Sequence, residues 1–222
     1  MKKLSLLMFA LFSTLLCSAQ YVPTTQWPYL FENFTQGTIY YSNGTKGKAI
    51  LNLHLLNGDL HFLQGNNILK TNGTDVVRVE IGDQSFLYVN DQLMEIIDHN
   101  GNNVLLKSVL ADFDALLSST GAYGADANTH SRRDLSSLGI SIGGVDITDH
   151  GLMQQNKKEG KELNEKVSYY LIINNQTFEA NKKEVQKNMP ADKTAAWKKF
   201  LKENKIKWKD EESLSKVLHF FN

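Results

Sequence analysis

Ala49-Ile-Leu-Asn-Leu-His-Leu-Leu-Asn57-Gly58-Asp59-Leu-His-Phe-Leu63 is the stretch that decides the fold. Apolar and polar residues alternate on both sides of Asn57-Gly58, the pattern of a half-buried β-hairpin. Asn and Gly both accept positive φ, so a two-residue type I′ turn is expected. Leu56 then faces Asp59, and His54 faces His61. Leu51, Leu53, Leu55, Leu60 and Phe62 share the core face. Both histidines lie on the other, toward solvent or a second layer.

Working outward, the same signature recurs. Asn43-Gly44, Asn72-Gly73, Gly82-Asp83, Asn90-Asp91 and Asn100-Gly101 punctuate the chain from Gly37 to about Lys107. Between them lie the predicted strands 38–41, 49–56, 60–63, 76–81, 86–89, 94–97 and 104–106. Short strands separated by such turns describe an antiparallel meander, closed as a roll, barrel or sandwich. Ser108 to Leu117 changes period: Val109, Leu110, Phe113, Leu116 and Leu117 recur at three-and-four spacing, which predicts a short helix. Residues 118–166 lose periodicity and hold 7 of the 15 glycines, reading as an irregular linker with Gly139 to Val145 as a candidate edge strand. Val167 to Ile173 is again a strand, turning at Asn174-Asn175. Three helical candidates follow, over 181–189, 192–204 and 210–221, the first opened by an Asn181…Glu184 capping box and ended by Pro190.

The expected class is therefore α+β, an antiparallel β-rich body followed by a short C-terminal helical segment. Four segments result: a leader over 1–19, the β-rich body over 20–117, the linker over 118–166, and the strand with its helices over 167–222.

The leader reading rests on Met1-Lys2-Lys3, the apolar run Leu4 to Leu16, and small residues at Ser18-Ala19. That is the layout of a secretory signal cleaved after Ala19, and the run falls short of the ~20 apolar residues that cross a bilayer. Lipidation of Cys17 is the competing expectation, disfavoured by Leu16 before it. Since Cys17 is the one cysteine among 222 residues, the exported chain has none. Thiol catalysis, zinc–thiolate sites and disulfides are then excluded. An extracytoplasmic protein without a transmembrane segment is expected.

Charge divides unevenly. Residues 20–117 carry 5 basic and 10 acidic groups, and residues 167–222 carry 11 and 7. The tail lysines interleave with Trp197 and Trp208 but are diluted by acids, so a solvated helix face is expected and no nucleic-acid partner. His54 and His61, cross-strand neighbours roughly 5 Å apart at Cβ, are candidate metal ligands. Catalytic zinc wants a third protein ligand that the sequence does not nominate, so a solvated pair is expected and no cofactor. Asp146, Asp149 and His150 offer two carboxylates and an imidazole within five residues, and read as exposed turn residues. Asp98-His99, Asp112 and Asp114 do not converge on local geometry. Trp27, Tyr40, Tyr41 and Tyr88 are candidate ligand-binding aromatics for a glycan, a peptide or an envelope protein.

Phe34-Thr-Gln-Gly-Thr-Ile-Tyr-Tyr, Leu51-Asn-Leu-His-Leu-Leu, Val79-Glu-Ile-Gly-Asp-Gln-Ser-Phe, Gly121-Ala-Tyr-Gly, Tyr169-Tyr-Leu, Lys202-Glu-Asn-Lys-Ile and Phe220-Phe-Asn222 together resemble secreted proteins of the Bacteroidetes to which no activity is assigned. The resemblance extends over most of the chain after the leader. It implies export and a β-rich fold and carries over no catalytic residue. Two function classes stand: an exported non-catalytic binding or structural protein of the cell envelope, and a small extracytoplasmic hydrolase whose site assembles only in the fold.

Overall fold

The structure is a computed structural model that describes residues 24–71, 75–113, 148–155, 157 and 162–221. The expected leader and the candidate strand over 139–145 lie outside the described residues. Strands β1 (Thr24–Thr25), β2 (Thr35–Tyr41), β3 (Lys46–His54), β4 (Asp59–Gln64), β5 (Asn67–Lys70), β6 (Val76–Ile81), β7 (Gln84–Val89), β8 (Gln92–Asn100) and β9 (Asn103–Ala111) come first. Then come β10 (Thr148–Asp149), helix α1 (His150–Gln155), β11 (Leu163–Ile173) and β12 (Gln176–Glu179). The chain closes with α2 (Lys182–Lys187), α3 (Thr194–Asn204) and α4 (Glu211–Phe220).

All twelve strands belong to one antiparallel sheet in the order β1-β11-β9-β8-β7-β6-β2-β3-β4-β5-β10, with β12 also on β11. The α+β class is as the sequence predicts, and the sheet is a half-barrel. Turn chemistry accounts for much of it. Asn90 and Asp91 between β7 and β8, and Asn174 and Asn175 between β11 and β12, all take positive φ, matching the twist of the strands they join. Gly82 and Gly101 do the same for β6–β7 and β8–β9.

Two close approaches mark the curled sheet. At Gly37 a Cβ would lie 2.5 Å from Glu80 O and 2.8 Å from Leu51 Cδ1, so only glycine lets β2 sit this close between β6 and β3. Farther along, the β3–β4 loop reaches across to the opposite limb: Leu93 N donates to Gly58 O, and Ala111 N to Leu55 O. Ile39, Leu51, Leu53, Leu60, Val79, Ile81, Phe86 and Leu93 form one buried cluster inside this curl. On the other face of β9 and β11, helices α2 to α4 pack Val185, Trp197, Leu214, Val217 and Leu218 onto Leu105, Leu171 and Ile173.

Several expectations are corrected. The short helix over 108–117 does not begin at Ser108: β9 runs to Ala111, because Ser108, Val109 and Leu110 pair with Ser168, Val167 and Lys166 of β11. Long-range pairing overrides a local three-and-four spacing. β5 is an additional strand beyond those predicted: Gly65-Asn66, with Gly65 at positive φ, is a hairpin turn across which Gln64 pairs with Asn67. The described part of the expected linker is structured: β10 pairs with β5, α1 follows, and β11 begins at Leu163.

The largest correction concerns Asn57-Gly58. The register is Leu53↔Leu60 and His54↔Asp59, leaving a four-residue loop over 55–58 where a two-residue turn was expected. Leu55 is drawn out of the ladder because its N–H donates to Pro28 O and its carbonyl accepts from Ala111. Because the slip is even, both histidines keep their common face.

Candidate functional site

Two constellations carry polar side chains in organised surroundings: the histidine face of β3–β4, and a cleft beside the β3–β4 loop.

Residues 26–34 run along β3 past the point where β2 leaves it, held by Leu30 N to Leu53 O and by the Tyr29↔His54 bridge. The rings of Trp27, Tyr29 and Phe34 turn onto the face that bears the histidines, whereas Phe31 packs on Phe86 inside the curl. Asn52, wholly buried, uses both ends of its amide there: Oδ1 accepts from Phe31 N at 3.0 Å and Leu53 N at 2.9 Å, and Nδ2 donates to Phe31 O at 2.8 Å. His54 and His61 stack at 4.9 Å with 19° between planes, and Phe113 stacks on His54 at 5.8 Å. Tyr29 meets both imidazoles edge-on, and its hydroxyl hydrogen bonds His61 Nδ1 at 3.0 Å. Trp27, Phe34, Ile68 and Met153 of α1 close the layer.

The solvated pair expected from the sequence is therefore a buried one. The second layer comes from aromatics 20 to 30 residues upstream and from Phe113, which no local pattern announces. Burial, then the neighbouring His54 and Lys70, hold the His61 pKa down to about 3, and burial pushes the Tyr29 phenol up. Stacked rings point their lone pairs along parallel planes, so the two imidazoles do not converge on one ion. Among the described residues no three His, Cys, Asp or Glu side chains form a metal-binding group. The two rings pack on each other, on Phe113 and on Tyr29.

The cleft, about 850 Å³, lies where the β3–β4 loop meets the β7–β8 turn. Leu56, Leu60, Val76, Leu93 and Leu110 give it apolar walls, and Asn57, Asp59, Lys70, Thr71, Asn90, Asp91 and Gln92 give it polar ones. Tyr88, half-buried, bridges the two kinds. Asp59 pairs with Lys70 at 2.8 Å, and Gln92 Oε1 accepts from Ser108 Oγ at 2.9 Å. Gly58 fixes the junction: its φ is +70°, and a Cβ there would lie 3.0 Å from Gln92 Cβ.

Of the four candidate aromatics, only Tyr88 lines this cleft. Trp27 is buried, its Nε1 donating to Phe31 O, with Lys157 over its ring. Tyr40 lies elsewhere, its ring contacted by Arg78 and Lys46 and its hydroxyl donating to Glu80 at 2.6 Å. Tyr41 packs against the cluster inside the curl. The four make no common face.

Asp149 caps α1 through Leu152 N and accepts from Asn66, while His150 touches Gln154 and the edge of Phe34. Asp98 meets His219 of α4 at 3.1 Å, His99 is exposed, and Asp114 and Asp146 lie outside the described residues. The cleft itself was beyond sequence reading. Asn57-Gly58 and Asn90-Asp91 both read as turns, but nothing local brings together turns 33 residues apart.

Among the described residues no helix is long and apolar enough to cross a membrane. No family model, curated sequence or solved structure matches this chain.

Proposed function

We propose that this chain is an exported, non-catalytic binding protein of the bacterial cell envelope, and that its ligand seats in the cleft between the β3–β4 loop and the β7–β8 turn. The makeup of that cleft carries the reading: apolar walls from Leu60, Val76 and Leu93 beneath the amides of Asn57, Asn90 and Gln92, with Tyr88 between them. A surface of that kind suits a ligand with an apolar face and several hydroxyls or amides, a glycan or a short peptide. Asp59 is committed to Lys70, and the imidazoles of His54 and His61 are packed away from the cleft, so general-base chemistry is not what these contacts favour. Export rests on the layout of residues 1–19 and on the resemblance of the later chain.

The test is calorimetric titration of the exported chain with neutral oligosaccharides and short peptides, beside Tyr88→Ala and Gln92→Ala. One ligand class should bind the parent and bind both variants more weakly. Turnover of a chromogenic glycoside or ester by the parent, abolished in Asp91→Asn, would place the protein in the hydrolase class instead. For export, mass spectrometry should give an N-terminus near Gln20, and a diacylated Cys17 would make the protein a lipid-anchored one.

A further inference from the structure

Residues 181–209 hold ten lysines against three acidic residues, a net charge of +7 in a chain whose total is zero. All of those lysines except Lys193 are exposed. Two neighbouring helices show that this is more than ordinary solvation. In α4, Asp210 caps the N-terminus by accepting from Ser213 N, Glu211 and Glu212 occupy the first turn, Lys216 pairs with Glu212 at 2.8 Å, and His219 sits in the last turn. Each choice suits the helix dipole and the spacing of helical neighbours.

Helix α3 departs in part. A 3-10 turn over Ala191–Lys193 leads into it with Asp192, and Lys202 suits its last turn, but Lys193 makes no side-chain capping bond and its own first turn holds no acidic residue. Lys198 and Lys202, one turn apart, repel, and the one acidic neighbour, Glu203, reaches Lys199 only at 3.9 Å. At its end Lys205 takes a left-handed φ of 44°, where glycine is the usual choice. Trp197 points inward and is buried, which leaves Lys198, Lys199 and Lys202 along the outward side. Like charges gathered on one exposed stripe, with a single weak acidic partner, mark a surface kept for recognition rather than for folding.

The stripe also indicates its partner. The exposed apolar side chains of α3 are the small Ala195 and Ala196, so the helix has nothing to bury in a lipid surface. Trp197 and Phe200 stack on one another in the core, so they offer no platform to nucleic-acid bases. Lysines on flexible stems accept unevenly spaced negative charges along a strand-like polymer. We infer that the outward face of α3 and the segment 205–209 bind a linear anionic polysaccharide, independently of the cleft. From Lys198 to Lys202 the stripe rises about 6 Å along the helix.

The experiment uses heparin as the probe and titrates the exported chain calorimetrically at several salt concentrations. Heparin should bind at low salt. The triple substitution Lys198→Gln, Lys199→Gln, Lys202→Gln should weaken binding about tenfold and lower the salt dependence by about one counterion per lysine removed. The same triple variant should melt close to the parent, since the Lys199–Glu203 pair it loses is exposed and worth little and the repulsion between Lys198 and Lys202 is relieved. Lys46→Gln with Lys48→Gln on β3 should bind as the parent does. Heparin affinity equal to the parent's in both the triple variant and the single variant Lys198→Glu would overturn the proposal. So would tighter binding to anionic phospholipid vesicles or oligothymidine than to heparin, or a salt-sensitive dimer by sedimentation that the triple variant loses.

Discussion

The sheet has two covers built on opposite principles. Helices α2 to α4 lie over β9 and β11 with ten buried apolar residues, from Leu105 to Phe221, and one buried polar side chain, Ser213. Residues 26–34 and α1 lie over β3 to β5 around four buried polar side chains, Tyr29, Asn52, His54 and His61. Both exclude water, but for different reasons. The first gains from apolar area and depends little on direction. The second depends on hydrogen bonds that must all be made, because an unpaired buried polar group is costly. A cover of the first kind tolerates neutral substitutions of similar volume; a cover of the second kind does not, and it answers to pH.

The greatest single loss is expected in the apolar cover. Leu214→Ala removes a fully buried side chain and should cost about 3 kcal/mol by urea unfolding. A loss below about 1 kcal/mol would mean that the helices are loosely docked and the contrast is false.

In the polar cover, Asn52→Ala strands the Phe31 N–H and carbonyl. It should cost about 2 kcal/mol, whereas Leu60→Met on the inner face should cost less than about 1.5 kcal/mol. Equal costs would show that the amide acts through its volume alone.

Acid should separate the covers further. A base whose folded pKa lies near 3 but whose unfolded value is near 6.5 contributes stability that is complete above pH 6.5 and is lost as pH falls toward 3. The slope from His61 is at most about 1.4 kcal/mol per pH unit. Unfolding midpoints measured from pH 7 to pH 4 should fall for the parent and flatten in His61→Gln. In the apolar cover, hydrogen bonds from Ser213 hold the Asp210 carboxylate below its usual range, so its contribution is lost only at lower pH. An identical profile in parent and His61→Gln would remove the histidines from the comparison.

The smallest effect is expected for Tyr29→Phe. It keeps the ring among its aromatic neighbours and removes the hydroxyl bonded to His61, and should cost about 1 kcal/mol. A larger loss would assign the hydroxyl a wider network than the one bond.

How much of this was legible follows the same division. Leu214, Val217, Leu218 and Phe221 announce the apolar cover through their helical spacing, and Asn90-Asp91 and Asn174-Asn175 announce their turns, because those signals are local. That His54 and His61 share a face was also readable, since face depends only on the period of two. Their burial and register were not. Both depend on Pro28, Tyr29 and Ala111, whose backbone and rings meet β3 only once the chain has curled. The cleft was hidden for the same reason, its walls coming from turns that are distant in sequence. At Ser108 to Ala111 a local signal was present and pointed the wrong way, because the pairing partner at Lys166 to Val167 lies more than fifty residues on.

That distance has a kinetic consequence. β9 pairs along eight residues with β11, and β5 receives β10 from about eighty residues downstream. As the chain is made, the meander from β2 to β9 is complete before either partner exists. At about 5–20 residues per second the nine-residue rim of β9 stands open for several seconds, a template for any other extended segment. A chaperone that shields the folded meander until β11 is made would have that rim as its natural first client.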